Sequence, residues 1–249
     1  MELADHLAIL GPEIERFAGI VKGMDMTAPV PGCPEWDLAA LIGHIGHVHR
    51  WVHHILATSA QEPVPWTSVT YDKPEDPDAL PEWLAAGAGP LLAELSGDPD
   101  APVWGFGGNH RRWWARRMLH ETSMHRADAE LTLGLEPVRD PDVCVDGVDE
   151  FLHLVEVVMA RRGQSANLRG QGESLHLHAV DAPGEWTITL GPDGMTWDRG
   201  HTKATTAIRG YSVDLLLLMY GRRKVGDLER FETFGDLAVA ERWAANTQV

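Results

Sequence analysis

The chain has 249 residues, of which 44% are hydrophobic and 23% charged, a composition typical of a globular protein with a large core. The formal net charge of −16 disfavours nucleic acids and anionic membrane surfaces as partners, because both would repel the protein at long range. With only Cys33 and Cys144, no signal-peptide pattern and no apolar run long enough to span a bilayer, the chain is expected to be cytoplasmic.

The first two-thirds of the chain carries apolar residues at a spacing of three to four, which predicts amphipathic helices. Leu7, Leu10 and Ile14 show this spacing in the first segment. Breaks rich in proline and glycine separate the segments from one another. The pattern predicts helices at about 3–22, 36–56, 81–95, 110–133 and 143–162.

After Gly163 the apolar residues alternate with a period of two, which predicts strands. Strands are predicted at 175–178, 186–190, 195–197 and 204–209, followed by helices at 212–220 and 237–245. We therefore predict an α+β protein: an N-terminal four-helix bundle followed by a smaller C-terminal α+β domain. The predicted boundary divides the chain into residues 1–165 and 166–249.

Glu121 and His125, four residues apart in the predicted helix at 110–133, are the most informative pair in the chain. On a helix this spacing points a carboxylate and an imidazole in the same direction. Arg117 and Asp128 extend the same face, one turn before and about one turn after. Such a polar stripe cannot pack against an apolar core without partners, so it either faces water or encloses a polar site.

The predicted helix at 36–56 is rich in histidine, and His44 and His47 lie on one of its faces. Spacing alone does not separate these two residues. A bundle that places either of them opposite Glu121 and His125 creates a site of two histidines and one carboxylate. Three protein ligands and one open position are typical of a catalytic divalent metal rather than a structural one.

Simpler interpretations exist for each of these residues. A single Glu-x-x-x-His pair on a helix is usually solvated or hydrogen-bonded, without a metal. The arginines of the same segment could form salt bridges on an acidic protein. The remaining histidines of the second helix are better explained as surface residues or as neighbours of the ligands; these are His47, His49, His53 and His54.

Three segments carry a resemblance to a known family. Residues 33–51, which begin Cys-Pro-Glu-Trp-Asp-Leu and contain Leu-Ile-Gly before His44, resemble the second helix of the mycothiol-dependent maleylpyruvate isomerase family. Residues 114–130 resemble the metal-binding fourth helix of that family, and residues 210–222 are similar to the end of its smaller domain. The resemblance implies a DinB-like metal-binding bundle followed by an SCP-like α+β domain.

The resemblance also implies roles for individual residues. His44, rather than His47, would join Glu121 and His125 as ligands of zinc or another divalent metal. The resemblance further implies that Arg222 and Arg117 hold a carboxylate or orient the acceptor. Arg222 and Asp128 would contribute to cofactor binding. Alternatively, Asp128 would orient a metal ligand or pair with an arginine.

The implied activity is that of a mycothiol-dependent S-transferase or isomerase, in which the metal activates the thiol of mycothiol to attack a small electrophile. Two alternatives remain at this point. The protein could be a metal-dependent hydrolase that activates water, or a non-catalytic protein that binds a small molecule. The loops that would select the electrophile carry no readable pattern, and the sequence does not set the oligomeric state.

Overall fold

The computed structural model describes residues 1–247, which fall into two units, the first ending at Pro137 and the second beginning at Val138. Residues 1–137 are all described and contain the predicted bundle. The α-helices of this unit are α1 (Leu3–Val21), α2 (Leu38–Ala57), α3 (Leu80–Ala86), α4 (Ala88–Leu95) and α5 (Arg111–Thr132). Helix α1 packs on α5, and α2 packs on α4 and α5.

The start of α2 is set by Asp37, whose side chain accepts a hydrogen bond from the backbone N–H of Ala40 at 2.8 Å. This side chain caps one of the N–H groups that have no partner within the helix. Because the cap fixes where the helix begins, it also fixes which side chains of α2 face the bundle interior. His44 lies two turns into the helix.

The single helix predicted at 81–95 is divided at Gly87 into α3 and α4. Pro90 lies within α4, and proline has no N–H to donate to the carbonyl four residues earlier, here that of Ala86. Gly87 adds conformational freedom at the same place. The two short helices together occupy the third position of the bundle, so the predicted four-helix arrangement is confirmed with this interruption.

The core of the first unit consists of apolar side chains from all of its helices, as the three-to-four-residue spacing predicts. Those that are fully buried include Leu10, Ile14, Phe17, Leu41, Ile42, Ile45, Leu84, Leu91 and Trp114. Of the polar stripe of α5, Arg117 and Asp128 are buried, whereas Glu121 and His125 are partly exposed. Buried polar groups require partners, and these define the candidate site below.

The strands of the second unit are β1 (Glu173–Ala179), β2 (Glu185–Gly191), β3 (Gly194–Arg199), β4 (Thr206–Gly210) and β5 (Phe231–Gly235). Among residues 138–247 they form a five-stranded sheet in the order β3-β2-β1-β4-β5, in which only β1 and β4 are parallel. The helices are α6 (Pro141–Arg161), α7 (Ser212–Met219) and α8 (Leu237–Asn246). The predicted α+β fold is confirmed.

The structure differs from the sequence prediction in two respects in this region. Strand β5 was not predicted; it is a short edge strand in which Phe231 is buried but Phe234 is exposed, so its alternation is weak. Helix α6 packs on α7 and groups with the second unit, whereas the predicted boundary at residue 165 lies after this helix. The reason is that α6 buries Phe151 against Tyr220 and Trp243 of the second unit.

Within residues 1–247, none of the helices combines the length and the apolar character that crossing a membrane would require.

Candidate metal centre

His44 on α2 and the pair Glu121 and His125 on α5 meet inside the first unit. The Nε2 atom of His44 lies 3.3 Å from Oε1 of Glu121, and Nε2 of His125 lies 3.4 Å from the same oxygen. The two imidazole rings are 5.1 Å apart between centroids and nearly perpendicular. The side chain of Glu121 is 20% exposed and that of His44 is 27% exposed, so the group is reachable from one side.

These separations agree with those of a tetrahedral zinc site. Two ligand atoms at about 2.0–2.1 Å from a tetrahedral metal lie about 3.3–3.4 Å from each other. The measured distances from Oε1 of Glu121 to the two imidazole nitrogens are 3.3 and 3.4 Å. His44, Glu121 and His125 form one of the groups whose ligand atoms all lie within 4.8 Å of one another. The positions of these side chains therefore fit a divalent metal.

Two further residues of α5 hold the candidate ligands in place. Arg117, one turn before Glu121, contacts its second oxygen, Oε2. Asp128 is fully buried, and its Oδ2 lies 3.0 Å from Nδ1 of His125. A carboxylate on the remote nitrogen of a histidine fixes both its tautomer and its ring orientation. Arg117 and Asp128 thus flank the group at opposite ends of one helical face.

The charges of this group determine its protonation. Burial opposes ionisation of Glu121, but the Arg117 guanidinium and hydrogen bonds from His125 and His44 outweigh it and hold the carboxyl pKa well below its usual range. For His125, burial by itself would lower the pKa, yet the carboxylates of Asp128 and Glu121 raise this pKa to about 9. Without a metal, cationic and anionic groups therefore alternate along this face of α5. Metal binding would have to displace the proton from His125.

Aromatic rings cover the histidine side of the site. The ring of Trp36 lies 4.7 Å from that of His44 and 5.9 Å from that of His125, between centroids. Trp66, from the loop between α2 and α3, stacks on His44 at 5.9 Å. These rings lower the local polarity around the candidate ligands, which strengthens electrostatic interactions within the site.

The structure separates His44 from His47, which the spacing left equivalent. The ring of His47 lies 3.7 Å from that of Trp66 and 4.0 Å from that of Tyr71, and it belongs to none of the candidate ligand groups among residues 1–247. His49 is fully buried, and its Nε2 contacts Oγ1 of Thr122 at 2.8 Å. His47 and His49 are therefore buried residues beside the site rather than surface residues.

Three residues near the candidate ligands were missed by the sequence analysis as members of the site. The thiol of Cys33 lies 3.8 Å from Oδ2 of Asp128, and Cys33, His125 and Asp128 form a second group with metal-ligand spacing. Trp36 directly precedes Asp37, the capping residue of α2, so its nearness to His44 in the first turns of α2 could have been inferred from the sequence. Trp66 could not, because its loop has no recognisable pattern.

Arg222, predicted to contact an anionic ligand, belongs to the second unit. Its Nη1 donates a hydrogen bond to the backbone oxygen of Tyr220 at 2.7 Å. Arg222 also lines a groove of about 800 Å³ together with Arg223 and Lys224. Asp227 and Glu241 line the same groove, so its lining carries charges of both signs, and the predicted role of Arg222 stays a prediction.

Comparison with known proteins gives two family matches. The mycothiol maleylpyruvate isomerase N-terminal domain matches residues 7–130, and the C-terminal domain of the same family matches residues 142–242. The crystal structures of the mycothiol-dependent maleylpyruvate isomerase and of a point mutant of that enzyme each superpose with a TM-score of 0.59 at 14% identity, over 94% of this chain and 93% of theirs. At this identity the likeness shows a shared fold. No curated protein sequence matches the chain. Since the two family matches together span nearly its whole length, the chain belongs to the mycothiol-dependent maleylpyruvate isomerase family.

Proposed function

We propose that this protein is a zinc-dependent isomerase or S-transferase that uses mycothiol as its thiol cosubstrate and acts on a small electrophile. The observation that carries the proposal is the convergence of His44, Glu121 and His125, with nitrogen-to-oxygen separations of 3.3 and 3.4 Å, in a chain of this family. Two imidazoles and one carboxylate suit zinc among the common divalent ions, and other transition metals accept the same donors.

The chemistry expected from a bound divalent metal with an open position is to lower the pKa of a thiol, so that the thiolate nucleophile is available at neutral pH. The protein residues prepare the site for this. Arg117 keeps Glu121 ionised, and Asp128 holds the ring of His125 so that Nε2 points toward Glu121 and His44. Because these contacts exist before any ligand binds, little reorganisation is required at the moment of binding.

The proposed reaction begins with a bond from the mycothiol sulfur to an electrophilic carbon of the second substrate. In an isomerisation, a carbon–carbon double bond of that substrate becomes single, the substrate rotates about it, and expulsion of the thiolate restores the double bond in the other geometry. In a transfer, the adduct takes up a proton and leaves as a thioether. Arg222 keeps its predicted role, to bind the carboxylate of an anionic ligand, because guanidinium groups bind carboxylates in a bidentate manner.

We infer the kind of substrate from the aromatic rings beside the site. Trp36 and Trp66 both lie within 6 Å of the His44 ring, between centroids. Rings of this kind bind planar or apolar parts of a ligand and exclude water from it. Exclusion of water favours attack by a thiolate over hydrolysis, which argues for the thiol-dependent reaction over a water-activating hydrolase.

Metal analysis followed by a turnover assay tests the proposal. The wild type is compared with Glu121→Ala and His125→Ala, and with Glu62→Ala and His54→Ala as exposed controls of the same residue types. We expect both site variants to hold about one equivalent of zinc less than the wild type and the controls. Circular dichroism of every variant establishes that the bundle is folded.

Turnover is then measured with maleylpyruvate, with and without mycothiol. Isomerisation that requires both mycothiol and the metal supports the proposal. Thiol consumption with another electrophile in place of isomerisation selects the transferase form. Metal-dependent hydrolysis of the substrate that proceeds equally without any thiol would instead select a hydrolase, and a wild type that takes up no metal when zinc is supplied would refute the mechanism.

A further inference from the structure

A second cluster of histidines and a carboxylate lies at one end of the sheet in the second unit. His176 and His178 lie two residues apart on β1 and therefore point to the same face of the sheet. Glu185, the first residue of β2, is directly opposite His178 in the antiparallel register. His201 follows β3, next to Gly200, whose N–H donates a hydrogen bond to the backbone oxygen of Glu185 at 3.0 Å. Three different strands thus bring these four side chains together.

The carboxylate of Glu185 is the centre of the cluster. Its Oε2 lies 3.5 Å from Nε2 of His176 and 3.3 Å from Nδ1 of His201. The other oxygen, Oε1, lies 2.8 Å from Nδ1 of His178. The rings of His176 and His201 are 4.9 Å apart between centroids and nearly perpendicular. One oxygen therefore faces two imidazole nitrogens, and the other oxygen is held by a third histidine.

The buried nitrogen of His176 indicates a ligand at this place. His176 is only 4% exposed, and its Nε2 has no hydrogen-bond partner among residues 1–247, although it points toward Glu185. A buried polar atom without a partner is unfavourable unless something else satisfies it. A metal ion bound between His176, Glu185 and His201 would do so.

The separations also agree with those expected around a metal. As noted for the first site, neighbouring ligand atoms of a tetrahedral zinc lie about 3.3–3.4 Å apart. The distances from Oε2 of Glu185 are 3.3 and 3.5 Å, and the ligand atoms of His176, Glu185 and His201 all lie within 4.8 Å of one another. His178 contacts the oxygen of Glu185 that does not face the histidine pair. Arg117 makes the equivalent contact with Glu121 in the first site.

We propose that His176, Glu185 and His201 form a second divalent-metal site, independent of the first, with His178 as the positioning residue for Glu185. Two imidazole nitrogens and one carboxylate oxygen select first-row transition ions such as Zn²⁺, Co²⁺ or Ni²⁺ over Mg²⁺ and Ca²⁺, which prefer oxygen ligands. His201 has 75% of its side chain exposed, so the ion would enter from solvent. All four residues belong to the second unit, and none takes part in the proposed reaction.

Cobalt titration of the chelator-treated, full-length protein tests this site, because Co²⁺ bound to nitrogen and oxygen ligands absorbs visible light according to its geometry. The titration is made in Glu121→Ala, which removes a ligand of the first site. We expect this variant to bind one equivalent of Co²⁺ and the wild type to bind two. His201→Ala and Glu185→Gln are then added separately to the Glu121→Ala background, with His54→Ala as the histidine control.

Loss of a direct ligand is expected to weaken Co²⁺ binding by about 100-fold or more, since loss of a residue that only orients a ligand already costs about 10–100-fold. His201 is exposed and Glu185 retains its shape as glutamine, so neither change should unfold the sheet, and circular dichroism checks this. A Glu121→Ala protein that binds no Co²⁺ would overturn the proposal. Binding that is equally tight in His201→Ala and Glu185→Gln would overturn it as well, because the ion would then lie elsewhere.

Discussion

Asp128 and His125 are joined across one turn of α5: Oδ2 of the fully buried aspartate lies 3.0 Å from Nδ1 of the histidine. This contact commits Nδ1 to the carboxylate and leaves Nε2 to face Glu121 and His44. The sequence spacing of three residues makes such a contact available on any helix. Complete burial makes it strong, because a buried carboxylate is costly when it loses one of its charged partners.

Replacing Asp128 tests the importance of this contact for metal binding. We expect Asp128→Asn to weaken zinc affinity by about 10–100-fold while leaving the ligands themselves unchanged, as for other residues that orient a metal-bound histidine. Zinc affinity is measured by competition with a chelator of known affinity. Asp193→Asn, in an exposed turn of the second unit, is the control. Equal zinc affinity in Asp128→Asn and in the control would show that the contact does not orient the ligand.

His44 and His47 differ by one turn of α2 and provide a matched pair. Nε2 of His44 lies 3.3 Å from Glu121, whereas the His47 ring packs on Trp66 and Tyr71. We therefore expect His44→Ala to lose zinc from the site and His47→Ala to retain it. Elemental analysis of both proteins after dialysis gives the result. Retention of zinc at the first site by His44→Ala, together with its loss in His47→Ala, would reverse the assignment.

His49 makes stability dependent on pH. Burial, together with the nearby charge of Arg50, lowers the pKa of His49 to about 3. The unfolded chain takes up a proton at this residue near its usual pKa of about 6.5, and the folded protein does not. The contribution of neutral His49 to the free energy of unfolding is therefore fully present above about pH 6.5. It is lost as the pH falls from there toward 3, and the loss is about 2 kcal/mol at pH 5.

The measurement for His49 compares urea unfolding at neutral pH and at pH 5. In His49→Gln the loss of unfolding free energy between these two conditions should be about 2 kcal/mol smaller than in the wild type, because glutamine does not titrate. His54→Gln, an exposed change on the same helix, should behave as the wild type. A pH dependence in His49→Gln equal to that of the wild type would show that other groups cause the loss.

Gly46 is required by a close approach between α2 and α3. A Cβ atom at this position would lie 2.0 Å from the ring of Trp83. The Arg50 guanidinium lies over the same Trp83 ring, 3.9 Å from its centroid. Although alanine is the better helix former, we expect Gly46→Ala to lower the free energy of unfolding by about 1–3 kcal/mol because of this overpacking. Gly19→Ala in α1 is the control.

At Gly19 a Cβ would meet no atom within 4 Å, so the same substitution should raise the free energy of unfolding by up to about 1 kcal/mol. Chemical denaturation of the two variants, measured side by side, gives both values. Similar stabilisation by Gly46→Ala and Gly19→Ala would mean that Trp83 moves aside without loss.

Much of the fold was predictable because its elements are set by local patterns. The spacing of Leu10 and Ile14 in α1, and the alternation of Leu175 and Leu177 in β1, follow from the geometry of helix and strand. Strand β5 escaped prediction because an edge strand with one exposed face carries few buried side chains. The break between α3 and α4 could have been read from Gly87 and Pro90, whose effects on a helix are local.

For the candidate site, the sequence by itself determined that Glu121, His125 and Asp128 share one face of one helix, because residues three and four apart are neighbours on any α-helix. Only the tertiary structure decided that His44 rather than His47 meets Glu121, and that Trp66 covers the site from a loop. It likewise decided that His176, Glu185 and His201 meet at one end of the sheet. Contacts of this second kind depend on the rotation of each helix about its axis and on the register of each strand. Both are set by packing among residues far apart in the chain, which local spacing does not encode.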